Sequence, residues 1–287
     1  MNVLRWIGYL EVVVASLLFG LLGIFGKLAY AYDISVGELL AFRFTLAAAL
    51  LWIWLLLLQP EQVRISLPQL FLAAALGIFG YAMNSSLYFI AIRGTSVSVA
   101  ALLLYTFPLW VGLINHFTGE KITARGWIAL LTALLGLILL LWGEIRIDSV
   151  NHILAGIGAG LFYALYIIAS SRWQRGQSPI TSTLYVITFA SIGLSLWHQP
   201  DFSRIQSYIP NQGLIILGIA FLCTIVPMTL IIRSLQKIPS SEAAVISMIE
   251  PISAAVFGML FFNEKLSHLQ ITGAFFILSA LTLFPRR

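Results

Sequence analysis

Apolar runs of about 20 residues alternate with short polar breaks along the whole chain. As a helix, each run rises about 1.5 Å per residue and is long enough to cross a hydrocarbon core about 30 Å thick. The pattern predicts about ten spanning helices, at 9–30, 36–58, 68–91, 95–117, 124–142, 151–172, 180–197, 211–233, 240–262 and 267–284. The longest breaks, Gln59 to Leu67 and His198 to Pro210, are too short to fold alone, so no soluble domain is expected. The first run, Tyr9 to Tyr30, exceeds the h-region of a signal peptide and is read as the first spanning helix.

The ninth run, SSEAAVISMIEPISAAVFGMLFF, carries Glu250 and Pro251 near its middle. Glu250 falls roughly 15 Å deep, close to the midplane. An ionised carboxylate costs about 2.5–3.5 kcal/mol there on insertion scales. Pro251 lacks an N–H and displaces the carbonyl four residues back, which is expected to leave a free C=O at the same depth. Two polar features at one level either line a watery cavity or are buried against neighbouring helices.

Composition agrees with a membrane chain: 60% of the 287 residues are hydrophobic and 9% charged. The mean hydropathy is +0.97. In a soluble protein the net charge of +5 would raise the question of nucleic acid; here the cations sit in short breaks and act as orientation signals. With the N-terminus inside, ten cations fall on the cytoplasmic side: Arg5, Arg64, Lys121, Arg125, Arg172, Arg175, Arg233, Lys237, Arg286 and Arg287. Five fall opposite: Lys27, Arg93, Arg146, Arg204 and Lys265. The positive-inside rule then places both termini in the cytoplasm. The single cysteine, Cys223, excludes an intrachain disulfide.

An internal repeat organises the spans. SVAALLLYTFP (Ser98 to Pro108) aligns with SEAAVISMIEP (Ser241 to Pro251) at a shift of 143 residues (251 − 108 = 143), and the same shift lays Phe19 on Phe162. Gly119-Glu120-Lys121 is answered by Asn263-Glu264-Lys265 with one residue inserted. The chain reads as an all-α polytopic membrane protein of two five-helix repeats, 1–147 and 148–287, together one transmembrane domain. Five is odd, so the second copy enters the membrane from the opposite side, giving an inverted repeat with a pseudo-two-fold axis in the membrane plane.

On these residues the chain resembles the drug/metabolite transporter superfamily, in particular its EamA-like branch, over nearly its whole length. The resemblance implies a carrier of small metabolites, often amino acids or related solutes, usually directed outward across the plasma membrane. The first half departs from the second in having Phe107 where the second has Glu250. The short loops suit a bacterial inner membrane.

The candidate cavity and gate residues are Glu250, Pro251, Pro108, Tyr81, Asn84, Tyr88, Tyr105, Tyr163, Tyr166 and Arg43. Glu250 is read as exchanging a proton in each cycle, binding a substrate ammonium, or locking its helix to a neighbour. The matched Pro108 and Pro251 favour a cavity at the pseudo-symmetry axis, whereas Pro227 reads as a simple kink. Tyr81, Asn84 and Tyr88 share one helix face, and Tyr163, Tyr166 and Ser170 repeat the spacing; such stripes line a cavity or glue helices together. Arg43 is expected to snorkel, to pair with a carboxylate or to bind a substrate carboxylate; Glu11 and Lys27, near helix ends, are expected to snorkel.

No phosphate-binding loop or H-E-x-x-H spacing occurs, so no cofactor, metal or catalytic residue is assigned. The leading reading is a secondary carrier of a small molecule working by alternating access in the lipid bilayer, with protons as a candidate coupling ion and no nucleic-acid partner. The alternatives are a membrane-embedded assembly or regulatory protein without transport, and a lipid-acting membrane enzyme. Substrate, direction, coupling and oligomeric state are not specified by the sequence.

Overall fold

The computed structural model describes residues 3–30, 35–119, 122–143, 147–174 and 176–283, with side chains at 27, 29, 30, 36 and 205–212 left aside. Glu120, Lys121, Arg146, Arg175, Arg286, Arg287 and the Lys27 side chain lie outside the described residues.

Ten helical spans follow one another. α1 comprises Val3–Gly20 and Leu22–Tyr30, and α2 is Val36–Leu58. α3 runs Leu67–Gly94 with a π-helical stretch at Leu76–Ala82, and α4 comprises Val97–Leu104 and Phe107–Phe117. α5 is Ala124–Leu140, α6 Val150–Trp173 and α7 Pro179–His198. α8 is Ile205–Ala220, a π-helical Phe221–Ile225 and Val226–Leu235; α9 is Ser240–Ile246 and Ile249–Phe262; α10 is His268–Leu283. Eight of the spans are long and apolar enough to cross a membrane, and α5 and α10 are shorter apolar helices. Large apolar side chains such as Leu57, Leu196, Leu214 and Phe275 face outward, as lipid-facing residues do. Local signals start the helices: Ser35 and Glu38 form a reciprocal capping box on α2, and Thr123 caps α5.

The contacts between helices obey an exchange of the two halves. α3 packs on α6 as α8 packs on α1, and α4 on α6 as α9 on α1. α3 meets α7 as α8 meets α2, while α5 pairs with α10 and α2 with α7, each with its own counterpart. A pseudo-two-fold axis relating the halves produces this set. The irregularities obey it too: the π-helical stretches fall in α3 and α8, and the breaks in α4 and α9.

Glycine permits two of these contacts. A Cβ on Gly136 of α5 would fall 2.6 Å from Gly273 O of α10, so the backbones of this pair touch. A Cβ on Gly160 of α6 would fall 2.8 Å from Leu104 O, which seats α6 against the break in α4. Close backbone approach through small residues drives helix association in lipid, where apolar burial gives no preference for protein over lipid.

Candidate functional site

Both breaks lie just before a proline: α4 unwinds at Tyr105 and Thr106 ahead of Pro108, and α9 at Ser247 and Met248 ahead of Pro251. The freed carbonyl expected from the sequence is not left open at Ser247. Its oxygen accepts from Glu250 N at 3.0 Å, a tightened turn that re-satisfies the group. The break places Glu250 in the first turn of the helix Ile249–Phe262, where the positive end of the helix dipole favours a carboxylate. Phe107 takes the same place on α4.

Glu250 is half-buried, and Ser247, Met248, Pro251 and Ser253 around it are buried. The Tyr105 hydroxyl hydrogen-bonds it from the α4 break, and Arg43 acts on it through space. From Tyr105 an aromatic row crosses the molecule. Tyr105 lies 6.3 Å from Phe107, and Phe107 4.7 Å from Tyr163. Tyr163 stacks on Tyr166 at 6.0 Å, and Tyr81 meets both edge-on, at 6.4 and 5.6 Å. Phe44 closes the row 5.1 Å from Tyr81, with the Arg43 guanidinium 4.8 Å from its ring centre.

Arg43 is 4% exposed and does not snorkel. Its Nε donates to Thr224 Oγ1 at 2.8 Å, and the guanidinium also engages the Tyr81 hydroxyl. Thr224 sits in the π-helical stretch of α8, and its hydroxyl reaches back to Ile219 O at 3.0 Å. A buried cation there costs about 2.5–3.5 kcal/mol, and hydroxyls with a distant carboxylate offset that only in part. Asn84, on the Tyr81 face of α3, is buried with Oδ1 unpartnered, and the buried Tyr166 hydroxyl has the Ser170 hydroxyl beside it. Tyr88 is half-buried, within electrostatic reach of Tyr105 and 5.9 Å from Phe89.

Phe89 also lines a cavity of about 510 Å³ formed by the start of α2, the ends of α3 and α7, and the α7–α8 connection. This end of the molecule, here the Glu38 face, carries an ion pair of Arg204 with Glu38 at 2.9 Å. The opposite end, the Arg5 face, is laced shut between halves. Arg5 bonds both Glu242 oxygens at 2.7 and 3.0 Å, and Tyr9 donates to the same carboxylate at 2.7 Å. Glu11 takes Arg233 at 2.8 Å together with Lys237. Asn115 donates to Ser240 at 2.8 Å and accepts from Arg172 at 2.9 Å. Among the described residues no three His, Cys, Asp or Glu side chains converge as a metal site requires.

The EamA-like transporter family model matches the chain twice, over residues 6–142 and 151–284. The chain belongs to the EamA-like transporter family. It is 30% identical over 210 residues to an uncharacterized transporter of Archaeoglobus fulgidus, covering 72% of this chain and 74% of the relative. It is 28% identical over 236 residues to the threonine/homoserine exporter RhtA of Escherichia coli K12, covering 79% and 72%. A protein of known crystal structure shares the fold, with a TM-score of 0.77 and 18% identity over 96% of this chain and 95% of that one. The protein is therefore a multi-pass membrane protein of a transporter family.

In this EamA-like transporter the structure gathers nine of the sequence-chosen residues around the two breaks and the aromatic row: Glu250, Pro251, Pro108, Tyr105, Tyr88, Tyr81, Tyr163, Tyr166 and Arg43. Asn84 shares the helix of Tyr81 and Tyr88, with its buried Oδ1 unpartnered. Glu11 corrects its expectation: α1 begins at Val3, six residues before the expected start, so Glu11 lies two turns inside and is buried in ion pairs. Thr224, Phe44 and Glu242 were missed. A lone threonine in an apolar run and a phenylalanine among leucines carry no signal, but Glu242 stood inside the quoted repeat motif and could have been singled out.

Proposed function

We propose that this chain is a secondary carrier that exports a small organic solute of the amino-acid type by alternating access to the midplane site. The observation that carries this reading is a broken symmetry. α4 and α9 meet through Phe107–Phe117 and Ser240–Ile246 at the Arg5 face. Exchange of the halves would pair Val97–Leu104 with Ile249–Phe262 at the Glu38 face, and no comparable contact joins those arms among the described residues. Two related repeats thus adopt two local states, which is what a carrier uses when one gate is shut and the other open.

The repeats 1–147 and 148–287 are the moving halves in this proposal. The charge bias supports a cytoplasmic Arg5 face and cytoplasmic termini, and in this proposal the state opens outward from a bacterial-type inner membrane. The name of the Escherichia coli relative, a threonine/homoserine exporter, supports outward transport of small amino acids. In this proposal Glu250, a carboxyl among buried neighbours, is the group that exchanges a coupling proton. The test is efflux of labelled threonine and homoserine from proteoliposomes containing the purified protein. Saturable, protein-dependent flux is expected, and flux equal to empty liposomes for these and a wider metabolite panel would refute the carrier. A Glu250→Gln variant with wild-type rate and pH dependence would remove the proton role.

A further inference from the structure

We infer that the midplane site is a dipolar cradle for a free amino acid with a small, uncharged, hydroxyl-bearing side chain: Arg43 takes the carboxylate and Glu250 the ammonium. This deepens the carrier reading of the same site and rests on it.

Arg43 and Glu250 are opposite charges within electrostatic reach, yet each is tethered to hydroxyls of its own. Thr224 and Tyr81 hold the guanidinium. Tyr105 holds the carboxyl. A pair built only for structure closes into direct contact, because the desolvation of both charges is offset best that way. Charges pinned apart suit a guest that carries both complements. With Nε committed to Thr224, the guanidinium plane is fixed, and arginine presents its terminal donors to a carboxylate in a planar fork. The ammonium end meets a half-buried carboxylate at the start of a half-helix broken at the midplane. A zwitterion supplies one complement to each of the two groups.

Side-chain preference follows from the space between. The row of Tyr81, Tyr163 and Tyr166 is aromatic and uncharged, which disfavours a second ionised group. On the Tyr81 face of α3 one polar group lacks a partner: Asn84 Oδ1, in a residue 8% exposed. A buried unpaired acceptor is costly, and a guest hydroxyl can donate to it.

The experiment measures binding by isothermal titration to the purified full-length protein in lipid nanodiscs, with three probes that share the hydroxyl and the three carbons next to it. L-homoserine carries both charges, 3-aminopropan-1-ol lacks the carboxylate, and 4-hydroxybutyrate lacks the ammonium. Homoserine is expected to bind at least about tenfold tighter than either analogue. Arg43→Gln is expected to weaken homoserine at least about tenfold while leaving aminopropanol within about twofold, and Glu250→Gln to do the same with hydroxybutyrate as the indifferent probe. Arg43→Lys is expected to recover part of the loss. An analogue that binds as well as homoserine overturns the proposal, as does unchanged homoserine affinity in folded Arg43→Gln. If both glutamine variants fail to fold, the wild-type series still decides. Discriminating binding without flux refutes the carrier and keeps the cradle; flux of another solute class without homoserine binding keeps the carrier and refutes the cradle.

Discussion

Asn115 Nδ2 donates to Ser240 Oγ at 2.8 Å, and through this bond the end of α4 is held to the start of α9. Arg172 of α6 fixes the amide from behind at 2.9 Å. The bond lies in a contact between halves for which no comparable symmetry mate occurs among the described residues. Membrane hydrogen bonds average about 0.6 kcal/mol, close to a threefold change in an equilibrium. Asn115→Ala should therefore raise the population open at the Arg5 face about threefold. Thiol labelling of Ser247→Cys, 6% exposed at the α9 break, measures it, and an unchanged rate would detach the bond from gating.

The Glu11 cluster separates two cations by burial. The Lys237 side chain is 16% exposed and the Arg233 side chain 56%, against 7% for Glu11. An exposed pair is worth about 0.2–1 kcal/mol, whereas removing one partner of a buried pair costs about 3–5 kcal/mol. Lys237→Met should therefore lower the unfolding temperature in detergent clearly more than Arg233→Met. Equal losses would mean that water screens both pairs alike.

The register of the ten spans was legible because hydrophobic length sets it, and α2 and α9 match their expected limits. The echo of Ser98 to Pro108 in Ser241 to Pro251 located both breaks, since each proline must interrupt a helix. What stayed hidden depends on contacts between distant segments. Arg5 reaches Glu242 across 237 positions, and Arg43 reaches Thr224 across 181. The π-helical stretches were also hidden: an extra residue per turn shifts the faces of α3 and α8 without any change of composition.

The α5–α10 crossing gives a prediction independent of function. Gly136→Leu places its Cβ 2.6 Å from the Gly273 carbonyl, where backbone has no room to retreat. Overpacking of this kind costs about 1–3 kcal/mol. Gly23→Ala, with nothing within 4 Å of its Cβ, should leave thermal unfolding unchanged. A tolerated Gly136→Leu would show that the two helices are not in backbone contact.

Thr224→Val keeps the side-chain shape and removes the acceptor that fixes Arg43 Nε. A hydrogen bond to a charged group is worth about 1.5–3 kcal/mol, so homoserine affinity should fall about tenfold or more. Titration of the folded variant checks this, and unchanged affinity would show that Arg43 is positioned by other contacts.

The alternating gate is tested most directly by two interspin distances in nanodiscs. One label pair, Phe117→Cys with Ser241→Cys, spans the closed arms at the Arg5 face; the other, Val97→Cys with Leu260→Cys, spans the separated arms at the Glu38 face. The native Cys223 is fully buried, so the labels report the introduced sites. Two populations are predicted in which the distances change in opposite senses, with homoserine shifting the ratio. A single invariant distance in each pair, with and without homoserine, would contradict the account.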